Sequence, residues 1–251
     1  MGRKGRTRPP ASPADPAHPA MQIGALGDIH GEFDTVHLIM QRHADVAVWV
    51  CVGDVASNDG EYFTPPSPLY FIKGNNEEFD VLARAVNGDP PAPTLHYMPN
   101  GGPHLVGPWR VAAIGGTFAP SWYNTPPSAL PPSKGRKLAA TSLKLGKSRD
   151  DKRRHFVRDE VVACKALSTI DLFLTHEAPR PFYPQGRRID AGKTVLNDVL
   201  AAMKPRLHLF GHHHEFTDTI RQGVRSIGLD IVTKSYLLID AETFKTERLD
   251  T

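Results

Sequence analysis

The sequence predicts an α/β layered fold built as one domain, and three observations carry that reading. Short apolar runs alternate with amphipathic stretches along most of the 251 residues, which is the strand–helix–strand rhythm of layered α/β proteins. A chain of this length forms a single core in many α/β folds. Hydrophobic residues at 40% and charged residues at 23% are ordinary for a globular protein and too apolar for a disordered one.

Residues 1–20 fit no element. They combine Arg3, Lys4, Arg6 and Arg8 with five prolines and lack the apolar periodicity that could offset the entropy of ordering. A disordered Pro/Arg-rich tail is expected there, with the folded domain over residues 21–251. Apolar runs at 21–26, 46–52, 69–72, 111–114, 172–174 and 207–210 read as buried strands. Helical periodicity falls between them at 32–41, 78–85, 158–167 and 191–203, where Val195, Leu196, Val199, Leu200 and Met203 share a face. Segments 215–220, 224–229 and 235–239 have turn residues between them and no room for helices, so antiparallel strands closing the sheet are expected. Residues 119–155 break the rhythm. Pro120, Pro126, Pro127, Pro131 and Pro132 precede ten Lys or Arg between Lys134 and Arg158. An insertion or lid is expected, whose charges either solvate an exposed helix face or contact phosphate.

No stretch approaches the roughly 18 apolar residues that span a bilayer, and the basic start runs into Pro, Ala and Asp rather than a signal-like apolar segment. A soluble, cytoplasmic protein without a membrane partner is expected. Cys51 and Cys164 each sit inside an apolar run with no Cys-x-x-Cys spacing, so buried free thiols are expected rather than a zinc or redox site. The formal charge of +3 is too small to define a partner, and the sequence leaves the oligomeric state open.

The chemistry lies where the strands end. Five apolar runs lead into Gly27-Asp28-Ile29-His30-Gly31, Gly53-Asp54, Gly74-Asn75-Asn76-Glu77, Thr175-His176-Glu177 and Gly211-His212-His213-His214. The carboxyl ends of strands in an open α/β sheet share one crevice. Asp28 and His30 are two apart in an extended segment and point the same way, as do His212 and His214, so each pair can chelate one ion. The mixed oxygen and nitrogen set suits Mn²⁺, Fe, Zn²⁺ or Co²⁺ better than Ca²⁺. Each piece alone has a bland explanation as a turn or a surface histidine; five in order, each after an apolar run, do not.

In this pattern the chain resembles the calcineurin-like metallophosphoesterases, whose motifs are Asp-x-His, Gly-Asp, Gly-Asn-His-Asp/Glu, a lone His and Gly-His-x-His. The resemblance runs from Met21 nearly to the end. It implies a four-layer αββα sandwich with mixed sheets and two divalent ions, Mn²⁺ first, with Fe, Zn²⁺, Co²⁺ or Ni²⁺ as alternatives. It further implies a first ion on Asp28, His30, Asp54 and His214 and a second on Asp54, Asn75, His176 and His212, with Asp54 bridging and His213 as spacer. Two dications against Asp28, Asp54 and a bridging hydroxide leave a net positive site, suited to in-line attack on a phosphoester by that hydroxide.

One position departs from the family. Asn76 stands where the family has His, and an amide cannot act as a general acid. Asn76 can still donate a hydrogen bond to substrate, and either a preference for leaving groups needing little protonation or a proton borrowed from metal-bound water or from another His such as His213 is expected. Short stretches around 71–77, Gly115-Gly116-Thr117, Arg153-Arg154-His155-Phe156 and 173–180 are similar to the RNA lariat debranching branch, which implies a phosphodiester in a nucleotide or nucleic acid. Arg180, Arg187 and Arg188 are then candidates for phosphate contact, with plain surface solvation as the alternative. A phosphomonoesterase or protein phosphatase is the competing activity, and a non-catalytic interaction module of the same fold is the competing class.

Overall fold

The computed structural model describes residues 21–133 and 150–251; the tail expected over 1–20 and the stretch 134–149 of the basic segment lie outside them. In chain order the strands are β1 (Gln22–Leu26), β2 (Val48–Cys51), β3 (Leu69–Phe71), β4 (Leu95–Tyr97), β5 (Gly101–Val106), β6 (Trp109–Ile114) and β7 (Thr117–Phe118). They continue with β8 (His155–Phe156), β9 (Leu172–Thr175), β10 (Leu207–Phe210), β11 (Thr217–Arg221), β12 (Val224–Gly228), β13 (Ser235–Asp240) and β14 (Thr246–Asp250). The helices are α1 (Phe33–Arg42), α2 (Phe79–Val86), α3 (Arg158–Lys165) and α4 (Thr194–Met203).

Two mixed six-stranded sheets carry the fold, in the orders β14-β13-β1-β2-β3-β4 and β11-β12-β10-β9-β6-β5. Side chains alternate across each strand, and the burial follows. Ile23, Ala25, Val48 and Val50 face Val111, Leu172, Leu174, Leu207 and Leu209 in a layer between the sheets. Leu26, Trp49, Cys51 and Phe71 point the other way, onto Val36, Ile39 and Met40 of α1 and Phe79 and Leu82 of α2. On the far side, Ala112, Ile114 and Phe173 meet Val161 and Cys164 of α3 and Leu196, Val199, Leu200 and Met203 of α4. The result is the αββα sandwich, with both thiols buried and free. Among the described residues no helix is long and apolar enough to cross a membrane.

The late strands depart from expectation. They do not close a single sheet: β11 and β12 form a hairpin beside β10, to which β12 runs parallel. β13 crosses to the other sheet and pairs antiparallel with β1. Its residues Ser235–Ile239 are buried without interruption, because Tyr236 and Leu238 join the helix-side core while Leu237 and Ile239 join the layer between the sheets. A strand buried on both faces belongs inside a sheet, and β13 lies between β1 and β14. The last helix begins at Thr194 rather than 191 because Lys193 bridges to Pro179. The excursion after β7 returns at β8, which pairs with it parallel at Thr117–His155 and Phe118–Phe156. Its neck is tied where the Ser133 N–H donates to Asp151 (3.0 Å).

Candidate active site

The exits of β1, β2 and β3 from one sheet and of β9 and β10 from the other meet at the junction between the sheets. In a first cluster, His214 Nε2 lies 3.0 Å from Asp28 Oδ2 and 3.2 Å from His30 Nε2, and His30 Nε2 lies 3.8 Å from the same carboxylate oxygen. In a second, His176 Nε2 lies 3.1 Å from His212 Nδ1, 3.3 Å from Asn75 Oδ1 and 3.6 Å from Asp54 Oδ2. Asp54 Oδ2 also lies 3.5 Å from His30 Nε2, so one carboxylate oxygen faces both clusters. Ligands about 2.0–2.2 Å from a cation stand roughly 3 Å from one another, and these spacings match. The donor set of carboxylate, amide oxygen and imidazole fits a divalent transition metal.

The backbone bends to bring these groups inward. His30, Asp54, His212 and His214 have φ of 50°, 51°, 70° and 52°, a left-handed conformation that costs a non-glycine residue about 1–3 kcal/mol. Such strain persists only where surrounding structure enforces it. Here the Ile29 and His30 N–H groups donate to the Asp54 carbonyl (3.1 and 2.7 Å), while the His212 N–H donates to Asp28 Oδ1 (3.1 Å). The Asn76 N–H donates to Asp54 Oδ1 (2.6 Å). Gly74 packs directly on Asp54, and any Cβ there would run into the carboxylate.

Outer partners set the protonation states. The Val52 carbonyl accepts from His176 Nδ1 (2.9 Å), which leaves the Nε2 lone pair aimed at the second cluster. Burial alone would raise Asp28, but the hydrogen bond from His214 and the nearby His176 bring it to about 2. Burial disfavours charge on His176 as well, yet Asp54 and Asp28 hold its pKa above the ordinary value. Burial and then His176 push His212 down to about 3. Burial and Lys193 push His213 down to about 4, so its ring is neutral at pH 7.

All seven expected ligand positions, Asp28, His30, Asp54, Asn75, His176, His212 and His214, thus come together. Asn76 sits beside Asp54, with one side-chain N–H donated to Ala56 O (3.3 Å). The His213 ring stacks on Phe182 at 4.5 Å and lines a cleft of about 500 Å³ next to the clusters, together with Arg187 and Lys234. Arg180 is exposed and engaged with Asp190 (2.6 Å). Arg153 is held by Asp151 and Asp80 (2.6 and 2.8 Å).

Several supporting residues were assigned no role by the sequence reading. Buried Glu77 accepts from the N–H groups of Val55 (3.0 Å), Ala56 (3.3 Å) and Gly74 (3.3 Å) and from Tyr62 (2.8 Å). Burial and the Asp54 charge raise its pKa to about 7. Lys73 Nζ donates to the carbonyls of Arg153 and His155 (both 2.9 Å), fastening the end of the basic segment beside the β3 exit. Glu177 accepts from the Phe118 N–H (2.6 Å) and pairs with Lys193 (3.3 Å). Glu77 and Glu177 stand inside the motifs and Lys73 directly before one, which is their sequence signal.

Compared with known proteins, residues 21–216 match the family described as calcineurin-like phosphoesterase. The chain belongs to that family. The family uses divalent metal ions, and Asp28, His30 and His214, like Asp54, His176 and His212, lie close enough together to hold one. It is 26% identical over 243 residues to the lariat debranching enzyme of Schizosaccharomyces pombe, covering 80% of this chain and 50% of that one. The chain thus spans about half the length of this curated relative. A Thermus thermophilus protein of known crystal structure superposes with a TM-score of 0.60 at 14% identity, over 92% of this chain and 99% of that one. Another crystal structure gives 0.65 at 11% identity over the same shares. These two likenesses show the fold alone, and that fold is the calcineurin-like phosphoesterase sandwich.

Proposed function

We propose that this chain hydrolyses a phosphodiester in a nucleotide or nucleic acid at a two-ion centre. Asp28, His30, Asp54 and His214 would hold one ion and Asp54, Asn75, His176 and His212 the other, Mn²⁺ in the first instance. The observation that carries this reading is Asp54 Oδ2, poised 3.5 Å from His30 Nε2 and 3.6 Å from His176 Nε2 so that one oxygen serves both sets. Two such ions, when bound, lower the pKa of a water towards 7 and offset charge developing on phosphoryl oxygens.

The protein's own residues do the rest. Asp28, at about 2, is ionised at every working pH and anchors the first set. The Val52 carbonyl fixes the His176 tautomer, so its Nε2 is ready as a donor to metal. Asn76 keeps a side-chain N–H for a phosphoryl oxygen but has no proton to give. A centre without that acid favours esters whose leaving oxygen needs little protonation. The diester reading draws support from the likeness to an enzyme named for debranching lariats.

The test is metal analysis of the purified protein followed by hydrolysis of bis(p-nitrophenyl) phosphate, p-nitrophenyl phosphate and a 2′,3′-cyclic nucleotide. We expect bound divalent ion and faster diester than monoester cleavage. Asp54→Asn should cost at least about 100-fold, since even outer-shell changes at metal sites cost 10–100-fold. Hydrolysis of the monoester alone would point to a phosphatase instead. Failure to bind any divalent ion would leave a non-catalytic interaction module.

A further inference from the structure

Resting on the diesterase reading above, we propose that the cleft beside His212 and His214 is a nucleotide subsite in which Arg187 holds the phosphate next to the one being cleaved. The cleft shares His212 and His214 with the two clusters and is lined between them by His213, so a substituent on a phosphoryl group at the centre extends into it. Its volume of about 500 Å³ lies in the range of pockets that enclose whole small molecules and far exceeds the need of a lone phosphate.

The charges in the cleft narrow the ligand. Lys234 is engaged with Asp230 (3.1 Å), whose same oxygen also accepts the Ile231 N–H (2.8 Å). Arg180, from the same loop as Arg187, is engaged with Asp190 (2.6 Å). Arg187 is exposed and, among the described residues, has no carboxylate within ion-pair distance. Its backbone N–H donates to Pro184 O (2.8 Å), closing a turn through Gly186 at φ 74° that presents the side chain. A guanidinium suits two-point binding of phosphate.

Glu215 also lines the cleft, its Oε2 accepting the Gln185 N–H at 2.7 Å. It balances Arg187 in net charge, so an isolated anion gains little there. The complementary ligand offers a phosphate to Arg187 and N–H or O–H donors to Glu215, and a nucleotide carries both.

Two measurements on the metal-loaded enzyme test this. The first is the ratio of kcat/KM for a dinucleotide bearing a terminal phosphate to kcat/KM for bis(p-nitrophenyl) phosphate, which has no second phosphate. Arg187→Ala should lower that ratio about tenfold, the scale of one hydrogen bond to a charged group, and Arg187→Lys should recover part of it. The second is inhibition of bis(p-nitrophenyl) phosphate hydrolysis by a nucleoside 3′,5′-bisphosphate and by the 5′-monophosphate. The bisphosphate should be the tighter inhibitor of the wild type by about tenfold, with the difference erased in Arg187→Ala. A ratio within about twofold of wild type in Arg187→Ala, or equal inhibition of the wild type by both nucleotides, would overturn the subsite alone. A wild type inert towards every diester would overturn the diesterase reading and the subsite with it.

Discussion

Replacing His208 by phenylalanine should remove a pH dependence of stability that the wild-type chain carries below neutrality. His208 is fully buried on β10, with Nε2 2.9 Å from Thr175 Oγ1 and Nδ1 3.1 Å from Ser226 Oγ. The Thr175 hydroxyl already donates to the Glu177 carbonyl (2.7 Å), so Nε2–H donates to Thr175, and Nδ1 is left to accept from Ser226, whose hydroxyl lies nearer the ring (3.1 Å) than its other acceptor, the Val224 carbonyl (3.4 Å). The ring is neutral, and burial, with Phe173 and Phe210 stacked beside it, lowers its pKa from 6.5 to about 3. Between those values the unfolded chain binds a proton that the folded chain refuses. Stability is therefore intact above 6.5 and falls as the pH drops, by about 1.4 kcal/mol per unit. From pH 7 to pH 5 the loss is about 2 kcal/mol. Urea unfolding of chelated protein at pH 7, 6 and 5 measures it. The variant loses two hydrogen bonds at every pH, but the wild type should lose about 2 kcal/mol more than the variant between pH 7 and 5. A wild-type-minus-variant difference constant to about 0.5 kcal/mol across that range would refute both the charge state and the network.

Three further outcomes are expected. Gly74→Ala, whose Cβ would meet the Asp54 carboxylate, should displace the shared ligand; metal analysis of the folded variant should find at least one ion fewer per chain, and a full complement would count against Asp54 as the shared group. Asn76→His should speed cleavage of esters with poor leaving groups by about tenfold or more, given the 10²–10⁴-fold that general acids contribute; unchanged rates on an alkyl ester would count against the missing-acid argument. Divalent metal at 100 times its Kd should stabilise the chelated protein by about 2.7 kcal/mol per independent site, read as a rise in Tm that Asp54→Asn sharply reduces.

The sequence revealed the inner centre because Asp, Asn and His at the ends of apolar runs serve no packing purpose. It concealed the outer shell for a physical reason: whether a charge is buried depends on partners distant in sequence. Lys73 reads as a surface lysine until its ammonium is seen held by carbonyls of Arg153 and His155. His208, inside the run Leu207–Phe210, reads only as part of a strand. Two edge strands, β5 and β14, were hidden for another reason. Gly101–Val106 opens Gly-Gly-Pro, and Thr246–Asp250 is largely polar, so neither shows the apolar signal of a central strand, and an edge position is where such sequences are tolerated.

What most needed three dimensions was the meaning of two sheets rather than one. Had the five motifs shared a single crevice, each would be placed by its own strand alone. Instead the centre straddles a junction. The Asp28 carboxylate after β1 of one sheet accepts the His212 N–H after β10 of the other, and the Val52 carbonyl after β2 receives the His176 ring after β9. The spacing within each cluster is therefore set by how the sheets stack. The apolar layer from Ile23 to Ile239 fixes that stacking and contributes the stability that offsets four left-handed residues. A cavity cut into this layer beneath the exits would loosen both ligand sets together, although no substituted side chain would touch metal or substrate.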